Sequence, residues 1–147
     1  MQAVKQSKAM IIVLLLLFLI SSCNMQPVPL IAGKDNCDFC KMTVADLRFG
    51  GEFITNKGKI YKFDDVHCLL SYIKSGQITK SEIKNIYLAD FSGLHEMIPV
   101  SESLLVNDES LHSPMSGNIA AFSNKDSMEK IKTQLNAETI TWDKLYE

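Results

Sequence analysis

The residues best suited to chemistry lie in one octapeptide, DNCDFCKM, at residues 35–42, which we call the sulfur loop. It holds two thiols, Cys37 and Cys40, three positions apart, and a thioether, Met42, two positions further on. Thiolate and thioether sulfur are soft ligands that favour Cu(I) over harder ions such as Mg²⁺. On a strand, Cys40 and Met42 would share one face beside the charged Lys41, whereas in a loop their sulfurs can converge on one point. The octapeptide therefore predicts a loop that binds a soft metal ion.

Other interpretations of the same octapeptide stay open. A Cys-x-x-Cys pair also occurs as a short structural disulfide, as half of a zinc site and as a redox pair. Met42 can equally serve to fill space in a core. A thiol–disulfide oxidoreductase is disfavoured, because no apolar strand precedes the motif and no helical pattern starts from it.

The elements that must position these sulfurs follow a repeated order along the chain. Strand patterns at residues 52–55 and 59–63 flank the turn Asn56-Lys57-Gly58, and a helix follows from Asp65 to about Ser75, with Asp64 as its predicted cap. Strand patterns recur at residues 84–91 and 118–122 before a second predicted helix at 125–135. The order predicts an α+β fold of two small ββαβ-like sub-domains packed together, with halves at about 35–80 and 81–147.

Further candidate ligands lie outside the sulfur loop. Met115 stands in a polar loop beside a proline and near a glycine, and packing of the two halves would bring it to Cys40 and Met42. Cys68 lies in the first turn of the first predicted helix but not on its apolar stripe, and the helix dipole there favours a thiolate. The alternative is that Cys68 is a small side chain buried between two layers of the fold. The histidines that could add a ligand are His67, His95 and His112.

A zinc site is the main alternative to copper. Cys37, Cys40 and Cys68 could bind Zn²⁺ together with Asp65 or His67, since Asp65-x-x-Cys68 at a helix start resembles half of a treble-clef site. The chain would then be an exported structural or interaction module. This hypothesis gives no role to the methionines.

The first residues of the chain predict export and a lipid anchor. Lys5 and Lys8 precede an unbroken apolar run from residue 9 to 20, which as a helix would span about 18 Å, less than the bilayer core of about 30 Å. A basic start, a short apolar run and small residues are typical of a secretory signal peptide, here residues 1–22. Small residues directly before Cys23 resemble a bacterial lipobox, which predicts acylation of Cys23 and a tether at 23–34 that anchors the chain to a membrane, facing the periplasm.

Charge and cysteine count limit the partners. The chain has 15 basic side chains; without Lys5 and Lys8, 13 remain against 17 acidic ones, and Arg48 is the only arginine. This balance argues against a nucleic-acid partner. With Cys23 acylated, three cysteines remain in an oxidising compartment, so at least one is unpaired unless a metal or an intermolecular bond holds it.

Taken together, these stretches resemble the nitrous-oxide reductase accessory protein family, NosL. The resemblance rests on the lipobox at Cys23, CDFCKM at residues 37–42, RFGGEFITNKGKIYKFDDVHCLLSYI at 48–73, SPMSGNIAAFS at 113–123 and TWDKL at 141–145. The segment at 113–123 resembles the family's SPMG-x-x-x-AF segment except that Ser116 stands before Gly117.

The resemblance implies a copper-binding domain at residues 35–147 that acts as a Cu(I) chaperone, not an enzyme. The resemblance further implies that the bound Cu(I) is used to assemble the copper sites of nitrous-oxide reductase. The partner would be that enzyme or an assembly factor that receives the copper. The family's Cys-x-Met pair corresponds to Cys40 and Met42, and its loop methionine to Met115. Cys37 could supply a further sulfur. Cys68 corresponds to a cysteine that is common at this position in the family, but this correspondence does not make it a ligand. The family's fold is similar to that of organomercurial lyases, which leaves an enzyme as a further alternative.

Overall fold

The computed structural model describes residues 25–147. The predicted signal peptide at 1–22 and the lipidation site Cys23 lie outside the described residues. Within 25–147 the strands form two antiparallel sheets. The first contains β1 (Gly51–Thr55), β2 (Ile60–Phe63), β3 (Ile83–Ala89) and β4 (Met97–Pro99) in the order β2-β1-β3-β4. The second contains β5 (Leu104–Asn107), β6 (Ile119–Phe122) and β7 (Glu138–Ile140) in the order β6-β5-β7.

Three α-helices accompany the sheets in this part of the chain. They are α1 (Val66–Lys74), α2 (Lys125–Leu135) and α3 (Trp142–Tyr146). Short 3-10 turns at Leu47–Phe49, Lys80–Glu82, Val100–Glu102 and Glu109–Leu111 connect the strands. None of the described helices is long and apolar enough to cross a membrane.

The two sheets repeat one topology, which confirms the α+β prediction of two ββαβ-like units. β1, β2, α1 and β3 form the first unit, and β5, β6, α2 and β7 form the second; in each sheet the first strand lies between the second and the third. β4 extends the first sheet beyond its repeat. The halves expected from sequence divide the chain between residues 80 and 81, whereas strand pairing carries the first unit on to Ala89 at the end of β3.

The first unit follows its sequence pattern closely. β1 and β2 pair with Phe53 opposite Tyr61, and the turn between them places Gly58 at φ 80°, a conformation that glycine adopts without steric cost. The first helix begins one residue later than the acidic pattern suggested. Its N-cap is Asp65, whose Oδ1 accepts the His67 backbone N–H at 2.8 Å. Asp64, expected as the cap, is instead buried, with its carboxylate against a thiol.

One hydrophobic core joins the two units. Phe53 and Leu69 of the first unit belong to the same buried cluster as Leu105 and Ile119 of the second. The Phe91 backbone N–H donates to the carbonyl of β6 at residue 121 over 2.7 Å, next to a parallel bridge between the sheets. Each fully buried side chain of this size contributes about 1.5–3 kcal/mol. The relative position of the two units is therefore set by shared packing.

Candidate metal centre

The sulfur loop is a tight turn fastened to β2. The Cys37 N–H donates to the Met42 carbonyl at 2.8 Å, and the Lys41 N–H donates back to the Cys37 carbonyl at 3.0 Å, with Lys41 in the left-handed region at φ 66°. Asp38 exchanges two hydrogen bonds with the backbone of Lys62, each 2.8 Å long. This double attachment fixes the loop beside the end of β2 that leads into α1.

Four potential ligand atoms meet where the sulfur loop touches the start of α1. The sulfurs of Cys37, Cys40 and Cys68 and a carboxylate oxygen of Asp64 all lie within 4.8 Å of one another. None of these three cysteines is in a disulfide. Cys37, Cys68 and Asp64 are buried, and Cys40 is half-buried. We call this group the thiol pocket; Cys40 is its most accessible sulfur.

Burial keeps the deeper thiols protonated. Desolvation raises the pKa of Cys37 to about 11, although hydrogen bonds from the backbone N–H groups of Asp64, Cys40 and Phe39 to its sulfur oppose the rise. Desolvation, and then the proximity of Cys37, raises the pKa of Cys68 far above its ordinary value. The Cys40 thiol points to the Asp64 carboxylate, with Sγ 3.6 and 3.7 Å from its two oxygens. A metal ion that binds here must displace protons from sulfur.

Cys68 lies in the first turn of α1 and belongs to the same buried core cluster as Leu69 and Phe53 of the first unit. Its sulfur is also close to those of Cys37 and Cys40 in the sulfur loop, and the side chain is completely buried. The expectation of an accessible thiol is therefore wrong, because the loop covers the first turn of the helix. The burial of Cys68 agrees instead with the alternative interpretation, a small side chain packed between two layers of the fold.

The Met115 loop of the second unit is joined to the same helix start. The Met115 N–H donates to Asp65 Oδ2 at 2.9 Å, across the junction of the two units. Gly117 lies so close to α1 that an added Cβ would stand 2.9 Å from the His67 Cβ and 3.1 Å from its backbone nitrogen. The Met115 side chain is half-buried and packs on the same core cluster as Cys40. Adjacent carboxylates thus contact the two predicted ligand segments: Asp64 touches Cys40, and Asp65 holds Met115.

The family profile of NosL matches residues 27–147, which include the sulfur loop, the thiol pocket and the Met115 loop. The chain belongs to the NosL family. Its fold is similar to the crystal structure of the copper chaperone NosL from Shewanella denitrificans, with a TM-score of 0.66 and 20% sequence identity over 81% of this chain and 94% of that one. No curated protein matches the chain significantly. The resemblance noted in the sequence is thereby confirmed as a family relationship.

Within this NosL fold, the other predicted ligands lie at the surface. Met42 is 48% exposed and Phe39, also in the sulfur loop, is 37% exposed. His67 is exposed on α1, and His112 is exposed at φ 49° after the 3-10 turn at 109–111. His95 contacts the Asp90 carbonyl through Nδ1 at 2.9 Å. Among residues 25–147, the convergent ligand group contains no histidine.

Sequence reasoning missed Asp64 as a potential ligand. The signal was the acidic doublet before the helix: only one of two successive carboxylates can cap it, which leaves the other free for a different role. The zinc hypothesis assigned the fourth ligand to Asp65 or His67. In the structure Asp65 is engaged as the cap and His67 points to the surface, whereas Asp64 faces the sulfurs.

Proposed function

We propose that this chain is a Cu(I) chaperone that carries copper on sulfur ligands at the start of α1 and delivers it by ligand exchange. The observation that carries the proposal is that two adjacent residues at the start of α1 contact both ligand segments: the Asp64 carboxylate contacts the Cys40 thiol, and the Asp65 carboxylate accepts the Met115 backbone N–H. The relationship to a protein described as a copper chaperone supports copper as the cargo.

The ligand set we assign is the Cys40 thiolate with the thioethers of Met42 and Met115, and Cys37 as a further sulfur. Thiolate and thioether donors select Cu(I) among the common metal ions. Cys40 is the half-buried thiol, whereas Cys37 and Cys68 have no exposed surface, so Cys40 is the sulfur that a solvent-borne ion reaches first. Met42 at the surface offers the outermost ligand.

Delivery follows from the weakness of the thioethers. An incoming ligand from a recipient can displace Met42, which is exposed, before the buried side of the site releases the ion. Each step exchanges one metal–sulfur bond for another, and no bond within an organic substrate is made or broken. The proposed role is therefore transport of an ion and not catalysis.

The recipient and the location follow from the family and from the first residues of the chain. We propose delivery to nitrous-oxide reductase or to an assembly factor that receives its copper. We further propose that acylation of Cys23 anchors the chain to a bacterial membrane, facing the periplasm, because a basic start, a short apolar run and small residues precede that cysteine. Cys23→Ala is expected to release the protein to the soluble fraction, and unchanged membrane association would contradict acylation.

Anaerobic Cu(I) titration against a chromophoric chelator tests the ligand set. We expect Cys40→Ser to weaken Cu(I) binding by about 100-fold or more and Met42→Ala and Met115→Ala by about tenfold each, where tenfold corresponds to about 1.4 kcal/mol. Met97→Ala is the matched control, because Met97 lies on β4 at the sheet edge opposite β2. X-ray absorption that shows only nitrogen and oxygen neighbours around copper would refute the proposal.

A further inference from the structure

We propose that residues 27–35, which we call the strap, seat the folded domain directly on a phospholipid bilayer, with Val28 and Ile31 entering the headgroup region. This contact rests on the proposed acylation of Cys23. It adds a second, non-covalent attachment to the same membrane and gives the domain a fixed orientation on it.

The strap is held against the first sheet by hydrogen bonds at both of its ends. The Val28 N–H donates to Oε1 of Glu52, on β1, at 3.0 Å. Lys62 of β2 reaches the strap twice: its Nζ donates to the Pro29 carbonyl at 3.3 Å and to Asp35 Oδ2 at 2.8 Å. This part of the predicted tether is therefore attached to the domain.

The strap and α1 lie on opposite faces of the first sheet. Within β1, Glu52 points to the strap, whereas the next residue, Phe53, packs in the same core cluster as Leu69 of α1. Successive side chains of a strand point to opposite faces. Leu30 of the strap is buried, and its Cδ1 fills the space that a Cβ on Gly50 would need. The thiol pocket, which shares the core cluster on the α1 side, is therefore on the face of the sheet away from the strap.

The outer side of the strap is apolar. Val28 is 42% exposed and Ile31 is 48% exposed, and Pro29 and Ala32 beside them are exposed as well. Of the five large apolar side chains that are exposed in residues 25–147, four lie on the strap or on the sulfur loop that follows it, and the fifth is Leu94. Single exposed apolar side chains are ordinary, but a group of neighbours marks an interaction surface.

The length of chain before the strap places this surface next to lipid. Five residue steps separate Cys23 from Val28, and at about 3.3–3.6 Å per step they reach at most about 17 Å. A tether that was free throughout residues 23–34 would reach about 40 Å. The headgroup region occupies about 5–8 Å on each side of the hydrocarbon core. A lipid on Cys23 therefore keeps the strap close to the headgroups.

This proximity makes a small apolar surface sufficient. Anchoring turns docking into an intramolecular step with an effective concentration of about millimolar, so a contact too weak to hold a free protein becomes populated. Lys34 is exposed at the end of the strap, and the neighbouring Asp35 is already paired with Lys62. An apolar side with a lysine at its edge is typical of segments that lie in a membrane interface.

The opposite faces of the sheet assign the bilayer, and not the copper recipient, to the strap. A recipient must reach the thiol pocket, which lies on the α1 side. With the strap on the bilayer, that side faces away from the membrane and stays open for ligand exchange. Docking through the strap would thus present the copper site to a partner in solution or to one that extends from the membrane.

Quenching of a single tryptophan by brominated lipid tests the contact in the full-length, acylated chain. Trp142 is the only tryptophan of the sequence, so Trp142→Phe gives a background without one. In this background, Ile31→Trp places the probe on the strap, and Gln77→Trp places the control probe at an exposed position just after α1. Each protein is reconstituted in phosphatidylcholine vesicles, with or without bromine near the glycerol end of the acyl chains.

The two probes should respond differently. We expect Ile31→Trp to lose about half or more of its emission in brominated vesicles, because interfacial side chains enter about 5–10 Å into the boundary between headgroups and acyl chains. Gln77→Trp should keep nearly all of its emission. Adding Val28→Asp to Ile31→Trp should restore most of the lost emission, because a carboxylate enters the apolar boundary only at high cost. All three positions are exposed, so these substitutions leave the core intact.

Cosedimentation with the vesicles separates the strap from the anchor. Equal quenching of Ile31→Trp and Gln77→Trp in a chain that cosediments would overturn the strap contact and leave the acylation of Cys23 standing. Absence of cosedimentation would overturn both. Emission of Ile31→Trp that follows the protein-to-lipid ratio and not the bromine would assign the strap to a second copy of the chain, and would also overturn the bilayer contact.

Copper binding tests the orientation. Competition with a water-soluble chelator should give the same Cu(I) affinity in vesicles and in detergent, because the thiol pocket lies on the side away from the strap. A lower exchange rate or affinity in vesicles alone would overturn this orientation. Absence of Cu(I) binding in both media would overturn the copper function and leave the strap contact standing.

Discussion

Asp65 connects the two units through its carboxylate, and replacing it should lower the free energy of unfolding by a measurable amount. Its carboxylate is buried; Oδ1 accepts the His67 N–H at 2.8 Å and caps α1, and Oδ2 accepts the Met115 N–H at 2.9 Å. Asp65→Ala removes both hydrogen bonds at once. The change leaves a helix without its cap and a loop without its attachment.

The magnitude follows from the two contacts. Loss of an N-cap side chain costs about 0.5–2 kcal/mol. A hydrogen bond to a charged group contributes about 1.5–3 kcal/mol. Since both act through one side chain and do not add fully, we expect Asp65→Ala to lower the free energy of unfolding by about 2–4 kcal/mol. Asp65→Asn, whose amide oxygen can accept only part of this pattern, should cost roughly half as much.

Urea denaturation of the reduced, metal-free protein measures the effect. With a denaturant slope of about 2 kcal/mol/M, the midpoint should fall by about 1–2 M. Asp126→Ala is the matched control: Asp126 is exposed in the first turn of α2, where Asn124 provides the cap, so only a helix-dipole contribution of about 0.3–1 kcal/mol is lost. A cost for Asp65→Ala no larger than that of Asp126→Ala would refute the assignment of Asp65 as the joint.

Three further substitutions test other contacts. Burial raises the pKa of Glu52 from 4.5 to about 7, so between these pH values the folded protein holds a proton that the unfolded chain has lost. The free energy of unfolding therefore falls as the pH rises through this window. Glu52→Gln should remove up to about 3 kcal/mol of this pH dependence, measured by urea denaturation at a series of pH values. Gly50→Ala would press on Leu30 and stand 3.1 Å from the Phe63 carbonyl, and should cost about 1–3 kcal/mol in thermal unfolding, relieved in part by Leu30→Ala. Gly117→Ala should displace the Met115 loop from α1 and weaken Cu(I) binding by about tenfold in chelator competition, whereas unchanged affinity would separate that loop from copper.

Local patterns in the sequence predicted the elements that local physics determines. Alternating apolar residues and the Asn56-Lys57-Gly58 turn were sufficient for the β1–β2 hairpin, and apolar spacing of three and four was sufficient for α1 and α2. The repeated order of these elements gave the α+β class and the two ββαβ units. The Cys-x-x-Cys spacing likewise marked the sulfur loop as the chemically distinctive segment.

Contacts between distant segments could not be predicted in the same way. The spacing of residues 64–68 does not determine which carboxylate caps the helix and which faces the sulfurs, because that depends on the position of the sulfur loop in three dimensions. The burial of Cys68 depends on the position of the same loop. The pairing of β3 with β1, about 30 residues earlier in the chain, is another such contact, because it leaves no trace in the local sequence.

The Met115 loop shows how a local departure from the family pattern is accommodated. Ser116 stands where the resemblance drawn from the sequence expects glycine, and it adopts φ 56°, a left-handed conformation that glycine reaches at less cost. The loop is nevertheless closed on itself by Ser113 and Asn118, whose side chains each accept the other's backbone N–H, at 3.0 and 2.7 Å. Together with the Met115 N–H on Asp65, these bonds hold the loop against α1. The position of the methionine is thus maintained by three hydrogen bonds that do not depend on the residue at 116, which is why a serine there is compatible with a thioether presented at the junction.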